Sequence, residues 1–202
     1  MLTLRVATVL ALCGLGVSAA PVPKDVPNRE TYYYPIKVGT KWVYDCQGDD
    51  IILVVTEVKD IKGGKQVTVE RRDLAETIAQ EVMEVSGSGL VQVAGPGGES
   101  DPPAVILRVP FRAGDKWKFK WEESRVRAGN EGTHTVVGVE KVKVPAGTFE
   151  AVRVDTDVTS VTRGEATRGK VSNWYAPNIG MVKRENDGTA TWVLKSFTPP
   201  KE

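Results

Sequence analysis

The sequence predicts an all-β fold, in the form of a curved antiparallel sheet or half-open barrel of about ten strands. Short segments rich in valine, threonine and aromatic residues recur along the chain, separated by turn signals of Gly, Pro, Asn and Asp. One of them, Lys116–Trp121, alternates strictly between lysine and aromatic residues, as a half-buried strand does. The length of 202 residues fits a single domain.

The first half of the chain opens with two strand signals and a hairpin. Lys41–Cys46 alternates, which places its two aromatic residues on one face of a strand. Ile51–Val58 is a nearly continuous run rich in β-branched residues, typical of a strand that is covered on both faces. Lys62–Lys65 predicts a Gly-Gly hairpin turn, from which Gln66–Arg72 returns.

The segment 73–85 is ambiguous between helix and strand. Some of its apolar residues have helical spacing, which favours a helix. However, the Ser-Gly-Ser-Gly turn at Ser86–Gly89 leads directly into Leu90–Ala94, which has the character of the second arm of a hairpin. We therefore expect a strand in the later half of the segment, followed by a loop at Gly95–Pro103.

The second half of the chain contains seven further strand signals with turns between them. Turns are predicted around residues 127–133, 145–148, 163–169, 176–180 and 186–188. The predicted strands are Ala104–Val109, Lys116–Trp121, Thr135–Val144, Phe149–Val158, Val171–Tyr175, Met181–Glu185 and Thr189–Phe197.

Two similar segments indicate either an internal two-fold repeat or the recurrence of the same hairpin chemistry. Residues 35–44 and 110–121 both place Gly four residues after Pro, and both place Lys-Trp two residues after that Gly. A glycine at such a turn favours positive φ, where a Cβ is unfavourable. We expect turn geometry of this kind at Gly39, Gly114, Gly147 and Gly180.

The N-terminal residues predict export. Arg5 precedes the apolar run Val6–Gly16, and small residues suitable for cleavage follow up to Ala20. Residues 1–20 are therefore predicted to be a signal peptide, 21–31 a flexible lead-in, 32–198 one β-rich domain and 199–202 a tail. The mature protein would be periplasmic or extracellular and would carry no transmembrane segment. Acylation of Cys13, as in a lipid-anchored protein, is the minority alternative, because Leu12 precedes that cysteine.

The charge balance bears on the partners that the protein can have, and the scarcity of cysteine bears on how its fold is stabilised. The chain has 27 Lys+Arg against 26 Asp+Glu, so we expect no nucleic-acid partner. Without residues 1–20, Cys46 is the one remaining thiol, so an internal disulfide is excluded.

Residues suited to catalysis or metal binding are few. His134 is the chain's only histidine, and no nucleophile elbow, phosphate-binding loop or zinc motif occurs. Asp45, Asp49 and Asp50 lack the regular spacing of a calcium loop. We therefore expect a protein that is not an enzyme and that uses neither a metal nor a cofactor.

The aromatic residues are the remaining candidates for a site. They either fill a solid core or line a concave surface that binds a lipid or another apolar ligand. The alternative function is a structural or protein-interaction module of the cell envelope, which would use sheet edges or the lysine face of residues 116–120. The candidate ligand-binding residues are Trp42, Tyr44, Trp117, Phe119, Trp121, Trp174 and Trp192.

Two motifs carry a resemblance to a known group of proteins. Val142–Asp155 contains Val-Pro-Ala-Gly-Thr-Phe-Glu-Ala, and Trp174–Glu185 begins Trp-Tyr-Ala-Pro. In these the chain resembles exported bacterial proteins of uncharacterised function with a β-rich, TapB-like domain, which are distantly similar to the LolA and LolB lipoprotein carriers. The resemblance implies a curved antiparallel sheet and brings no accepted catalytic residues.

Overall fold

A computed structural model describes residues 31–72, 78–96, 98–123, 128–162 and 165–200, and these residues form one antiparallel sheet. The predicted signal peptide lies outside the described residues. The twelve strands are β1 (Lys41–Cys46), β2 (Asp49–Ile61), β3 (Gly64–Arg71), β4 (Ile78–Ser86), β5 (Gly89–Gly95), β6 (Gly98–Arg108), β7 (Lys116–Glu123), β8 (Ala128–Val144), β9 (Gly147–Thr162), β10 (Glu165–Ala176), β11 (Gly180–Asn186) and β12 (Thr189–Thr198).

The sheet consists of two meanders of six strands each. Its strand order is β6-β5-β4-β3-β2-β1-β12-β11-β10-β9-β8-β7, so neighbours in sequence are neighbours in space except at the centre. There β1 pairs antiparallel with β12, with Lys41 opposite Thr198. The sheet curves into a nearly closed barrel. The prediction of an all-β, curved antiparallel fold is confirmed, with twelve strands in place of about ten.

The barrel closes along a seam between its two edge strands, β6 and β7. The indole nitrogen of Trp117 donates a hydrogen bond to the carbonyl of Val105 at 2.8 Å. The guanidinium of Arg108 lies 5.6 Å from the Trp117 ring centroid. These side-chain contacts take the place of a strand ladder at the seam, and Pro102 and Pro103 in β6 lack the N–H that a ladder requires.

Two of the predicted turns and part of a predicted loop are wrong, because the strands are longer than expected. Residues 98–103 belong to edge strand β6, where proline is tolerated because one side of an edge strand needs no hydrogen-bond donors. β8 already begins at Ala128, and β10 at Glu165. Gly132 lies inside β8, where a Cβ would come within 2.1 Å of the Asp157 carbonyl oxygen, so this glycine permits close strand approach. By contrast, the strand expected in the later half of 73–85 is confirmed as β4.

The two repeated segments open their meanders with the same hydrogen bonds. Gly39 N donates to Val55 O and Gly114 N donates to Val136 O, both at 2.8 Å. The reciprocal bonds, Val55 N to Thr40 O and Val136 N to Asp115 O, both measure 2.9 Å. The φ angles of the two glycines are +86° and +91°, which a Cβ would disfavour. The expected two-fold repeat is therefore visible in the backbone itself.

Alternate strand ends meet at the two ends of the barrel. The repeated turns at 35–40 and 110–115 lie at one end, which we call the motif end, together with the β10–β11 turn. The segment before β1 packs there: Tyr32 O accepts a hydrogen bond from Asn178 N at 2.7 Å, and the rings of Tyr33 and Phe111 lie 5.7 Å apart. Tyr34 continues into the barrel beside Trp42. Aromatic side chains thus cover the motif end.

Valine side chains dominate the most deeply buried positions, as expected for β-branched residues on a pleated surface. Among the described residues, those with no more than 1% exposure include Val55, Val67, Val69, Val85, Val136, Val152, Val154 and Val182. No helix among the described residues has the length and hydropathy needed to cross a bilayer.

Candidate functional site

A cavity of about 290 Å³ lies inside the barrel, and we call it the central pocket. Strands of both meanders contribute to its wall, which places it around the β1–β12 junction. Pro96, in the β5–β6 turn, is exposed, so the lining reaches the protein surface at the end opposite the motif end. The pocket is lined by Tyr34, Trp42, Tyr44, Leu53, Glu81, Met83, Leu90, Gln92, Pro96, Ile106, Tyr175, Met181, Arg184 and Trp192.

Aromatic rings form much of this wall, and their polar atoms are held by the backbone. Trp42 Nε1 donates to Ile179 O at 2.7 Å, and the Tyr44 hydroxyl donates to Met181 O at 2.6 Å. The Trp192 ring lies edge-on to Tyr44, with centroids 5.5 Å apart. With their hydrogen-bonding groups occupied, Trp42 and Tyr44 offer the pocket mainly apolar surface.

Glu81 places a carboxyl group in the wall of the central pocket. It lies on β4 and accepts a hydrogen bond from the Tyr34 hydroxyl. Burial raises the pKa of Glu81, while the Tyr34 hydrogen bond and the positive charge of Arg184 act in the opposite direction. Burial also raises the pKa of Tyr34 and of Tyr44, and the charge of Glu81 adds to both shifts.

Arg184 places a positive charge in the same pocket. Its Nε donates to the Asn173 side-chain oxygen at 2.8 Å, across the β10–β11 pair. Arg184 and Glu81 are both described residues, and their charged groups are not in ion-pair contact. The terminal nitrogens of Arg184 therefore keep donor capacity for another group.

Tyr175 lies beside these two charges. Burial raises its pKa to about 12, with Arg184 lowering it and Glu81 raising it further. Its side chain is buried, yet its hydroxyl makes no hydrogen bond to another described side chain or backbone group. It is consequently a free donor and acceptor at the pocket wall.

A cavity of about 300 Å³ is lined by residues of β6 to β11, and we call it the second pocket. It shares Ile106, Tyr175 and Arg184 with the central pocket, so these three side chains separate the two spaces. Its other lining residues are Phe119, Asn130, His134, Val154, Thr156, Val158, Ser160, Val171, Asn173 and Asn186.

His134 is buried in the wall of the second pocket. Its Nδ1 lies 2.7 Å from the Thr156 hydroxyl, and its ring stacks on Phe119 with centroids 4.6 Å apart. Burial lowers the pKa of His134 to about 4, so the imidazole is neutral at neutral pH. Among the residues that the structure describes, no group of three or more His, Cys, Asp and Glu is placed to hold a metal ion.

The seven predicted ligand-binding residues lie at different places in the structure, and not all of them line a pocket. Trp42, Tyr44 and Trp192 line the central pocket, and Phe119 lines the second pocket. Trp117 is buried at the seam and belongs to neither lining. The side chain of Trp121 lies outside the described part of the chain. For the four lining residues, contact with a ligand stays a prediction.

Trp174 lies on the outer face of the sheet, away from both pockets. Its Nε1 donates to Glu140 at 2.5 Å, and the charged groups of Lys183 and Arg153 lie 4.8 and 5.2 Å from its ring centroid. These long side chains cover the indole, which is only 4% exposed. Its neighbour Tyr175 points inward and is the residue that reaches the pocket.

The polar residues of the pocket were missed from the sequence. Glu81 falls in the segment that was ambiguous between helix and strand, so the sequence did not show whether its side chain would lie on a buried or an exposed face. Once β4 is known, Glu81 shares a face with Met83 and Val85, which marks it as an acidic residue on an apolar face. Arg184 and Asn173 are directly paired across two strands, and no local motif indicates that pairing.

Comparisons with known proteins agree with this architecture. A DUF3108-like family model matches residues 132–189, a stretch that runs from β8 to the start of β12 and contains both motifs of the sequence resemblance. No curated protein sequence is significantly similar to the chain. The likeness to TapB-like domains and to LolA and LolB stays a prediction.

Two crystal structures share the fold. A protein of Bacteroides fragilis NCTC 9343, described as exported and as having a YmcC-like fold, matches with a TM-score of 0.61 and 18% identity, over 84% of this chain and 100% of that one. A protein of Parabacteroides distasonis ATCC 8503, described as a lipoprotein, matches with a TM-score of 0.56 and 18% identity, over 83% and 99%. At this identity the similarity shows the fold alone.

Proposed function

We propose that this protein is an exported, non-enzymatic component of the cell envelope that binds a small apolar or amphipathic ligand in the central pocket. The observation that carries the proposal is the pocket itself, an internal cavity of about 290 Å³ walled by aromatic and aliphatic side chains with a few polar groups. Ligand sites in proteins have this composition, and this volume is near their lower limit.

Export is supported from two directions. The sequence opens with a signal-peptide pattern, Arg5 followed by the apolar run to Gly16. The two proteins of similar fold are described as an exported protein and as a lipoprotein. We therefore place the mature chain in the periplasm or outside the cell, either free or anchored by a lipid.

Binding in the pocket can be tested with the protein from its own envelope. We expect native mass spectrometry after gentle purification to show a bound small molecule, which is released chemically unchanged because the protein binds it without catalysis. A hydrophobic fluorescent dye should compete for the same site.

Two variants make that test specific. Gln92→Trp places a large ring in the central pocket, whereas Val139→Trp places the same ring on the outer face, where Val139 is 57% exposed. Ligand and dye should be lost from Gln92→Trp and retained by Val139→Trp. Dye binding that is equal in both variants, or clean apoprotein from the native source, would contradict the proposal.

A structural or protein-interaction module is the second candidate. The observation that favours it is the seam, where the described strand order ends at β6 and β7, beside the exposed Lys116 and Lys118. Crosslinking in intact cells through a photoreactive residue at Lys118 would capture a protein partner under this candidate. The ligand-binding candidate predicts no such product.

A further inference from the structure

The central pocket holds one carboxyl group and one guanidinium group, those of Glu81 and Arg184, which are not in direct contact with each other. Glu81 receives a hydrogen bond from Tyr34, and Arg184 uses its Nε to bind Asn173. All three of Glu81, Tyr175 and Arg184 line this pocket. The charge of Arg184 lowers the pKa of Glu81, and both groups act on the pKa of Tyr175. The pocket is thus polarised, with an acceptor on the β4 wall and donors on the β10–β11 wall.

Charges enclosed by protein are costly unless a partner meets them. A purely apolar ligand would exclude water from Glu81 and Arg184 and would not replace the hydrogen bonds that this water makes with them. A ligand with one charge would pair with one of them and be repelled by the other. A head group that carries both charges compensates both side chains at once, because its cation can face Glu81 while its anion faces Arg184.

We propose that the central pocket selects amphiphiles with a zwitterionic head group. The anionic group binds the terminal nitrogens of Arg184 and the hydroxyl of Tyr175, and the cationic group lies against Glu81. The apolar body packs against Trp42, Leu53 and Met83. This inference rests on the proposed function, since it names the ligand class of the same pocket.

Four single-chain amphiphiles with the same octyl tail test the head-group preference. They are octylphosphocholine, octanoate, octylamine and octyl glucoside, each titrated below its micelle concentration and followed by calorimetry and by Trp fluorescence. We expect octylphosphocholine to bind at least about 10-fold more tightly than the other three, the effect of compensating an enclosed charge. This comparison uses the unmodified protein and does not depend on the folding of any variant.

Charge-removing variants then assign the two halves of the head group. Glu81→Gln should weaken octylphosphocholine by about 10-fold or more and strengthen octanoate, because repulsion of the anion is removed. Arg184→Gln should weaken octylphosphocholine as well, but should strengthen octylamine. Arg184→Lys, which keeps the charge, should retain more affinity than Arg184→Gln. Glu84→Gln, on the outward face of β4, and Arg168→Gln, exposed on β10, are matched controls that should change none of the four affinities.

The outcomes separate this inference from the proposed function. If all four amphiphiles bind with similar affinity and Gln92→Trp abolishes their binding, the pocket binds ligands but the zwitterion preference is wrong. If octanoate or octylamine alone binds best, a single charge determines recognition and the inference is also wrong. If none of the four binds and no ligand is found in the native protein, the proposed function itself fails.

Discussion

Three ionisable side chains inside the barrel each have a hydrogen-bonding partner from another segment of the chain. Thr156 partners His134, Asn173 partners Arg184, and Tyr34 partners Glu81. Each partnership offsets part of the desolvation of its titratable member. The interior can therefore hold ionisable groups without being a continuous apolar core.

His134 makes the stability of the protein depend on pH. Burial lowers its pKa from 6.5 to about 4, so the unfolded chain takes up a proton between these values while the folded protein does not. Stability contributed by the neutral imidazole is present above pH 6.5 and is lost as the pH falls toward 4. The full loss is roughly 3 kcal/mol, at 1.36 kcal/mol for each unit of pKa shift.

Urea denaturation of the protein and of His134→Gln at a series of pH values measures this dependence. The difference between the two should fall by up to that amount between pH 6.5 and 4. Because the chain contains one histidine, its imidazole NMR signal can be followed without assignment. A titration midpoint near 6.5 in the folded protein would contradict the burial described here.

At the scale of the strand, the alternating sequence of β7 separates its buried aromatic residues from its exposed lysines. The ring of Trp117 is 4% exposed and that of Phe119 is half-buried, whereas Lys116 and Lys118 are exposed on the other face. The aromatic residues of the motif therefore face the inside of the barrel and its lysines face solvent, as a period of two predicts.

Removing the Trp117 ring should destabilise the fold strongly. Trp117→Ala deletes a buried side chain and its hydrogen bond to Val105 O across the seam, which we expect to cost about 3–5 kcal/mol in the free energy of unfolding. Lys118→Ala, next to it on the exposed face, should change stability by no more than about 0.5 kcal/mol. Denaturant midpoints of the two variants provide the measurement, and equal midpoints would show that Trp117 does not hold the seam.

Strands and turns were predictable where the local signal was strong. All four glycines expected at turns, Gly39, Gly114, Gly147 and Gly180, have positive φ. The failures, at residues 98–103, 128–133 and 165–169, share a cause: Gly and Pro inside long strands give the same local signal as a turn. Only pairing with a neighbouring strand shows that such a residue lies in a strand and not in a turn. Gly132, which lies close to the backbone of Asp157 in β9, is an example.

At the scale of the whole molecule, part of the aromatic lining of the central pocket was predictable and the charged part was not. Large rings in an all-β chain either fill or line its interior, so Trp42, Tyr44 and Trp192 could be named from composition and alternation. Glu81 and Arg184 come together through pairing between strands of two meanders that are separated by about half the chain. That juxtaposition depends on closure of the barrel, which no short segment encodes.

The β1–β12 pair also affects how quickly the protein folds. It joins residues near both chain ends, Lys41 and Thr198, and is therefore the pairing with the greatest sequence separation in the sheet. Pairings of high contact order slow folding, because loop-closure entropy is lost before the contacts form. The seam, which has no ladder, instead lies between strands that follow each other directly in sequence.

A circular permutant would connect β12 directly to β1 in sequence and would break the natural connection between β6 and β7. In a chain that begins at Pro110 and ends at Val109, with Pro200 joined to Thr31 by a short Gly-Ser linker, every ladder of the sheet becomes a sequential hairpin. Pro200 lies against Gly39, with its Cβ 3.6 Å from the position of a Cβ at that glycine, and Tyr32 is hydrogen-bonded to Asn178 in the β10–β11 turn, so the linker joins two points at the motif end. We expect the permutant to refold faster than the natural order in stopped-flow fluorescence. Slower refolding would contradict this expectation and would indicate that the natural 109–115 connection speeds folding by more than the sequence separation of the β1–β12 pair slows it.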